Sequence, residues 1–141
     1  MGLEIELMGG DALITRARSR LTARFLAHKQ ATHILFCDAD IGFAPDNLFR
    51  LLEADKPVIA AVGPMKYIDW ERARATGKAD APDMMAASLG YVVRFLPTPD
   101  HSVEVNDGIA KGAYAGAGFL MIRRSAMQQI VDAHPELSQD G

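Results

Sequence analysis

The feature that most constrains the fold is a continuous apolar run at residues 33–37 (HILFC), which ends at Asp38. A run of this length without polar alternation is typical of a strand buried on both faces of a parallel or mixed sheet. An amphipathic pattern over residues 11–29 predicts a helix before it, with Asp11 as the N-cap. Residues 45–54 predict a second helix opened by Pro45, and residues 58–62 (VIAAV) predict a second buried strand. This alternation indicates an α/β domain.

The second half of the chain has a different pattern. Residues 88–95, 103–106 and 119–124 are β-rich runs separated by short turns, and residues 125–134 predict a closing helix. Residues 76–83 (TGKADAPD) predict a surface loop. We therefore expect a mixed, mainly parallel sheet flanked by helices, with antiparallel strands added by the second half.

Length and composition favour one soluble α/β domain over residues 1–141. The chain is 49% hydrophobic and 23% charged, with a net charge of -3, so its overall charge does not favour nucleic acid or an anionic membrane as a partner. The only cysteine, Cys37, lies in the apolar run and predicts core packing, not a disulfide. No leader and no run of roughly 18 apolar residues is visible, so the expected location is the cytoplasm.

Two carboxylates follow the first predicted strand in the segment HILFCDADIGFAPDNL. If the backbone stays extended there, Asp38 and Asp40 point the same way, about 6 to 7 Å apart. Such a pair favours a hard cation, Mg²⁺ or Mn²⁺, that also bridges phosphate oxygens, because two adjacent carboxylates otherwise repel each other. The alternative is structural, with Asp38 capping a turn and Asp40 a solvated loop acid.

Four segments in order resemble the GT-A glycosyltransferase family: ITRARSR, THILFCDADIGFAPDNLFRLL, KPVIAAVGPMKYIDW and YAGAGFLMIRRSAM. The resemblance covers roughly residues 11–135 and implies a nucleotide-diphospho-sugar transferase-like fold. It implies that Asp38 contacts the donor ribose or the metal's water shell and that Asp40 ligates Mn²⁺ or Mg²⁺. The implied partners are a nucleoside-diphosphate sugar and an acceptor that the sequence does not identify.

The resemblance also implies further nucleotide-sugar-binding residues. Arg18, in the triplet Ala17-Arg18-Ser19 where the family often has Ala-Arg-Asn, would hold the nucleotide, with a solvated helix face as the alternative. Gly116 and Gly118 would form a wall that a sugar ring approaches closely, with a β-bulge or tight turn as the alternative. Lys66, in the loop expected at PMKYIDW, would neutralise diphosphate charge, although a plain surface lysine is the commoner role.

The sequence departs from the family at both ends. It lacks much of the N-terminal strand and helix that form the base pocket, and no residue after the glycine segment is a convincing catalytic base, so the catalytic residue is unknown. The main hypothesis is a metal-dependent glycosyltransferase-like domain, complete or part of a longer enzyme. The alternatives are a non-catalytic nucleotide- or sugar-binding or assembly domain, or a haloacid-dehalogenase-type phosphatase with Asp38 as nucleophile. Unpaired sheet edges predict a homo-oligomer.

Overall fold

A computed structural model describes residues 2–75, 84–85 and 88–137 of the chain. Its helices include α1 (Ile14–Ala27), α2 (Pro45–Glu53), α3 (Trp70–Ala75) and α4 (Arg124–Ala133), with a 3₁₀ turn at Pro135–Leu137. Its strands are β1 (His33–Cys37), β2 (Val58–Ala60), β3 (Pro64–Ile68), β4 (Leu89–Tyr91), β5 (Val93–Phe95), β6 (Val105–Asn106), β7 (Ile109–Ala110), β8 (Gly112–Ala115) and β9 (Phe119–Arg123). The loop expected over 76–83 lies outside the described residues.

The main sheet has three strands in the order β1-β9-β2, and the expectation of a mainly parallel sheet is wrong. Asp38 N–H donates to Gly118 O, and Arg124 N–H donates to Thr32 O, both at 2.8 Å. Residue numbers increase along β1 as those of its partners in β9 decrease, so β9 is antiparallel to β1. The bonds between β2 and β9 follow the same inverse order. β1 and β2 are thus separated by β9, a strand from late in the sequence.

The other sheets are antiparallel two-stranded ribbons, β3–β4, β5–β8 and β6–β7. They are separate from the main sheet in strand order, so the second half does not simply extend one sheet. Residues 64–68, expected as a loop, form β3, which pairs Pro64 with Tyr91 and Ile68 with Leu89. Lys66 therefore projects from a strand. Asp69 then accepts the Arg72 N–H at 2.9 Å and starts α3.

The chain forms two compact units: Met1–Phe36, Ala44–Ile59 and Met121–Gly141 make up the first, and Cys37–Phe43 and Ala60–Leu120 the second. The core of the first unit consists of six side chains that are 3 to 9% exposed: Phe25, Phe36, Leu51, Met121, Ile122 and Met127. Among the described residues of the second unit, those that are buried are Ala73, Ser88 and Phe119. Phe36 is the only buried residue of β1, so the prediction that this strand is buried on both faces is wrong.

Arg124, the first residue of α4, joins α1 to the rest of the first unit. Its guanidinium donates to four main-chain carbonyl oxygens at 2.5 to 3.3 Å, and it lies 4.4 Å from the Phe25 ring centroid. The acceptors belong to the last turn of α1 and the residues after it: Phe25, Leu26, His28 and Ala31. A helix C-terminus leaves carbonyl groups without intrahelical partners, and a cation is favourable there. Arg124 therefore caps α1 from a distant part of the sequence.

Acid–base contacts hold the segment before α1 along that helix. Glu6 pairs with Arg24, and Glu4 lies 3.2 Å from His28. Two residues of extended chain cover about the same length as one helical turn, so alternate acids match helix positions four apart. The side chains between and beside the two acids are 69 to 90% exposed: Leu3, Ile5 and Leu7. This segment thus carries an outward apolar row.

Asp11 does not cap α1 as expected. The N-cap position is Leu13, whose N–H donates to Asp11 at 3.0 Å, and the Asp11 carboxylate also accepts from Arg16 at 2.7 Å and Arg20 at 3.5 Å. The Arg16 hydrogen bond, with help from Leu13 and Arg20, lowers the pKa of Asp11 to about 2. The acid organises the basic face of the helix instead of its end. None of the helices in the described parts of the chain is long and apolar enough to cross a membrane.

Candidate metal and diphosphate site

Asp38 begins a tight turn directly after β1. Its N–H completes the β1–β9 ladder by donating to Gly118 O, and its carbonyl accepts the Ile41 N–H at 3.0 Å. The bond between residues 38 and 41 closes a β-turn with Ala39 and Asp40 at its centre. The backbone is therefore not extended through Asp40, and the alternation argument for two parallel carboxylates does not apply beyond Asp38. What the structure does provide is an Asp38 main chain fixed on both sides.

Gly118 lies against this turn. A Cβ at position 118 would be 2.9 Å from Ile41 Cδ1 and 3.3 Å from Asp38 Oδ2, so a side chain there would push on the acid and on the turn. A Cβ at Gly116 would meet its nearest neighbour, Val92, at an ordinary 3.6 Å. The structure thus brings Asp38 and Gly118 together, and a side chain at position 118 would crowd the ends of the Ile41 and Asp38 side chains. It gives Gly116 no such requirement.

Asp40 pairs with Lys66 of β3. Both side chains are well exposed, 59% for Asp40 and 76% for Lys66, so water competes with the contact. The hydrogen bond and positive charge of Lys66 hold the pKa of Asp40 below its usual value. Asp40 is therefore a carboxylate at neutral pH and already has a cation beside it.

An apolar cleft of about 120 Å³ lies next to these residues in the second unit. Its lining includes Ile41, which follows Asp40, and Met65, which precedes Lys66, together with Gly116, Gly118 and Phe119. The cleft is thus lined by the sequence neighbours of Asp40 and Lys66 and not by these two side chains themselves. Sequence reasoning missed two apolar residues after the paired acids, Ile41 and Phe43. The Phe43 ring centroid is 4.6 Å from that of Phe119. The spacing of Ile41 and Phe43, two positions apart, was the sequence signal that could have indicated them.

The remaining predicted residues have different surroundings. Arg18 lies on α1 in the first unit, with its guanidinium 5.8 Å from the Phe36 ring centroid. Cys37 is exposed, so its expected core role is wrong. Partial desolvation of its thiol by neighbouring atoms and, second, the Asp38 charge raise the pKa of Cys37, which keeps the thiol protonated at neutral pH and makes it a poor metal ligand or nucleophile.

Asp38 and Asp40 are the two acids of the turn that a cation could use. Across residues 2–75, 84–85 and 88–137, no three His, Cys, Asp or Glu side chains form a metal-binding group. Mg²⁺ is commonly bound through one or two carboxylates together with waters and substrate phosphates. The Asp38–Ile41 turn supplies two acids, and one of them, Asp40, is already paired with the Lys66 ammonium group. Comparisons with protein-family models, curated proteins and solved structures find no match for the chain.

Proposed function

We propose that this chain is a glycosyltransferase-like domain that binds a nucleoside-diphosphate sugar through Mn²⁺ or Mg²⁺ at Asp38 and Asp40. The observation that carries the proposal is the packing of the Asp38–Ile41 turn on Gly118 beside an apolar cleft. Two segments that the family resemblance links, about 80 positions apart in the sequence, meet there. The transferred sugar and its acceptor remain to be identified by experiment.

The two acids contribute differently to such a site. The Asp38 main chain is anchored by its hydrogen bonds to Gly118 and Ile41, so this residue would fix the position of the cation. Asp40 is exposed, and its carboxylate could exchange Lys66 for a bound cation. A bound cation supplies Lewis-acid stabilisation of the departing diphosphate. The apolar cleft beside the acids would exclude water from part of the ligand, which strengthens the charge interactions.

Titration calorimetry with Mn²⁺ and a panel of UDP- and GDP-sugars tests the proposal. Wild-type protein is expected to bind at least one nucleotide in a metal-dependent way, and Asp40→Ala and Asp38→Ala are expected to weaken that binding by tenfold or more, as loss of a direct ligand does. Asp132→Ala, which removes an exposed acid bonded to Gln128 on α4, is the matched control and should bind normally. Nucleotide binding that is absent, or indifferent to metal, in wild type would refute the proposal.

A non-catalytic binding role is favoured by one specific observation. The cleft, at about 120 Å³, is smaller than the roughly 300 to 1,000 Å³ of typical ligand pockets. The described residues therefore enclose only part of a nucleotide sugar. Binding of nucleotide and metal without sugar transfer or donor hydrolysis, measured by product release, would identify this chain as a binding module.

We also propose a cytoplasmic protein that self-associates without nucleic acid or membrane partners. Exposure of Leu3, Ile5 and Leu7 in one row supports association, since exposed apolar patches mark protein contacts. Light scattering over a concentration series should show a dimer or larger species that Ile5→Asp shifts toward monomer. A wild-type monomer at the highest concentration would rule this out.

A further inference from the structure

Lys66 forms an exposed ion pair with Asp40. Its ammonium group pairs directly with the carboxylate that the proposed function assigns to the cation. A lone carboxylate cannot fully satisfy an ammonium and a divalent cation at the same face, because the two positive charges repel each other. Entry of a cation therefore requires Lys66 to move away from Asp40.

The position of Lys66 permits such a movement. Its side chain is 76% exposed, and it projects from β3, a strand whose five residues are all exposed. A lysine has a flexible four-carbon stem and a single point charge, so it reorients at little cost when its partner is taken.

We propose that Lys66 is a resident counter-ion of Asp40 that is exchanged for the metal and then binds the diphosphate of the incoming nucleotide. This inference rests on the proposed function and extends it to the phosphate class of the ligand. A metal ion alone must displace Lys66 and gives it no new partner. A metal–diphosphate complex takes Asp40 and offers phosphate oxygens to the released lysine, so metal and diphosphate bind cooperatively.

The inference predicts opposite changes in two affinities when the lysine is removed. In Lys66→Gln, free Mn²⁺ no longer competes with the ammonium, and its affinity should rise about two- to fivefold, the value of an exposed ion pair. The affinity for the Mn²⁺–nucleoside diphosphate complex should fall about tenfold, because a charged phosphate contact is lost. A role that only supports the fold would lower both affinities together.

The experiment measures free Mn²⁺ by its electron paramagnetic resonance signal, with and without saturating UDP or GDP, on the whole 141-residue chain. Lys66→Arg keeps the charge and should retain both affinities within a few-fold. Lys111→Gln removes one charge from the same unit and is the matched control. A circular dichroism melt of every variant shows that the fold is intact.

The outcomes separate failure of this inference from failure of the proposed function. If wild type binds the metal–nucleotide complex but Lys66→Gln leaves the affinity for free Mn²⁺ unchanged or lower, the exchange role of Lys66 is refuted and the metal site stands. If Lys66→Gln binds nucleoside monophosphate and diphosphate complexes with wild-type affinity, its diphosphate contact is refuted. If wild type shows no metal or nucleotide binding, the proposed function itself fails.

Discussion

Replacement of Arg124 by alanine should cost about 3 kcal/mol of folding free energy, which is large for a residue at a helix start. The guanidinium donates to four carbonyl oxygens and lies on the Phe25 ring. Hydrogen bonds to charged groups contribute about 1.5 to 3 kcal/mol each, but exposed carbonyls recover bonds to water when the arginine is removed. Three such bonds to part-buried acceptors would sum to about 4.5 kcal/mol or more, and partial recovery of hydrogen bonds to water reduces the expected net loss to about 3 kcal/mol.

Arg124→Lys distinguishes geometry from charge. Lysine keeps the positive charge at the α1 C-terminus but has no planar fork, so one ammonium cannot serve all four acceptors. We expect it to lose about 1.5 kcal/mol, roughly half the alanine effect, because the interaction with the helix end remains. Arg123→Ala is the matched control. Its side chain pairs with Asp55, which is 78% exposed, so its loss should cost less than about 1 kcal/mol.

Urea denaturation followed by circular dichroism at 222 nm is the appropriate assay, because α1 contributes strongly to that signal. With a slope of about 1 to 3 kcal/mol per molar urea, the alanine variant should lower the midpoint by about 1 M or more. An alanine effect below about 1 kcal/mol, or equal effects at positions 123 and 124, would refute the capping role of Arg124.

Three other measurements test particular contacts. Gly118→Ala should lower the affinity for the metal–nucleotide complex about tenfold, because the added methyl group displaces the Asp38 and Ile41 side chains. Gly116→Ala should leave that affinity unchanged. Equal affinities of these two variants in titration calorimetry would contradict the packing argument. Gly118→Ala combined with Ile41→Val should recover part of the loss, because valine lacks the crowded Cδ1. Asp11 has a folded-state pKa lowered from 3.8 to about 2, so its stabilising effect is complete above pH 3.8 and disappears as the pH falls through about 2. The stability difference between wild type and Asp11→Asn in urea titrations should therefore be constant near neutral pH, shrink as the pH falls from 3.8 and vanish below about pH 2. A difference at pH 2 as large as the one at neutral pH would contradict this.

Local sequence patterns predicted the elements well where local forces decide them. The bounds of β1, His33–Cys37, are confirmed, and Pro45 starts α2 as expected. Asn47 supports that start by accepting the Ala44 N–H at 2.9 Å. A proline in the first turn and a short apolar run are signals contained within a few residues, so no distant part of the chain is needed to read them.

Strand pairing was not predictable in the same way. The alternation of helices and strands up to residue 62 favoured a mainly parallel sheet, yet β9 lies between β1 and β2 and runs antiparallel to both. Which strands pair depends on burial and on connections between distant segments, and apolar runs look alike in either direction. The same limit explains Arg124, because nothing near it in the sequence shows that its acceptors belong to residues 25–31.

The paired acids show why a short motif underdetermines a site. As a pattern, Asp38-Ala39-Asp40 gives both acids the same weight, but the fold makes them unequal. Asp38 is held by main-chain bonds and by a glycine that leaves it space, and Asp40 extends into solvent to meet Lys66. A cation site uses both a fixed and an exposed carboxylate. The fixed carboxylate sets the coordination geometry, and the exposed carboxylate can exchange its ion-pair partner as the cation enters or leaves. The turn that invalidates the extended-strand argument thus provides the difference between the two carboxylates on which the proposed metal exchange depends.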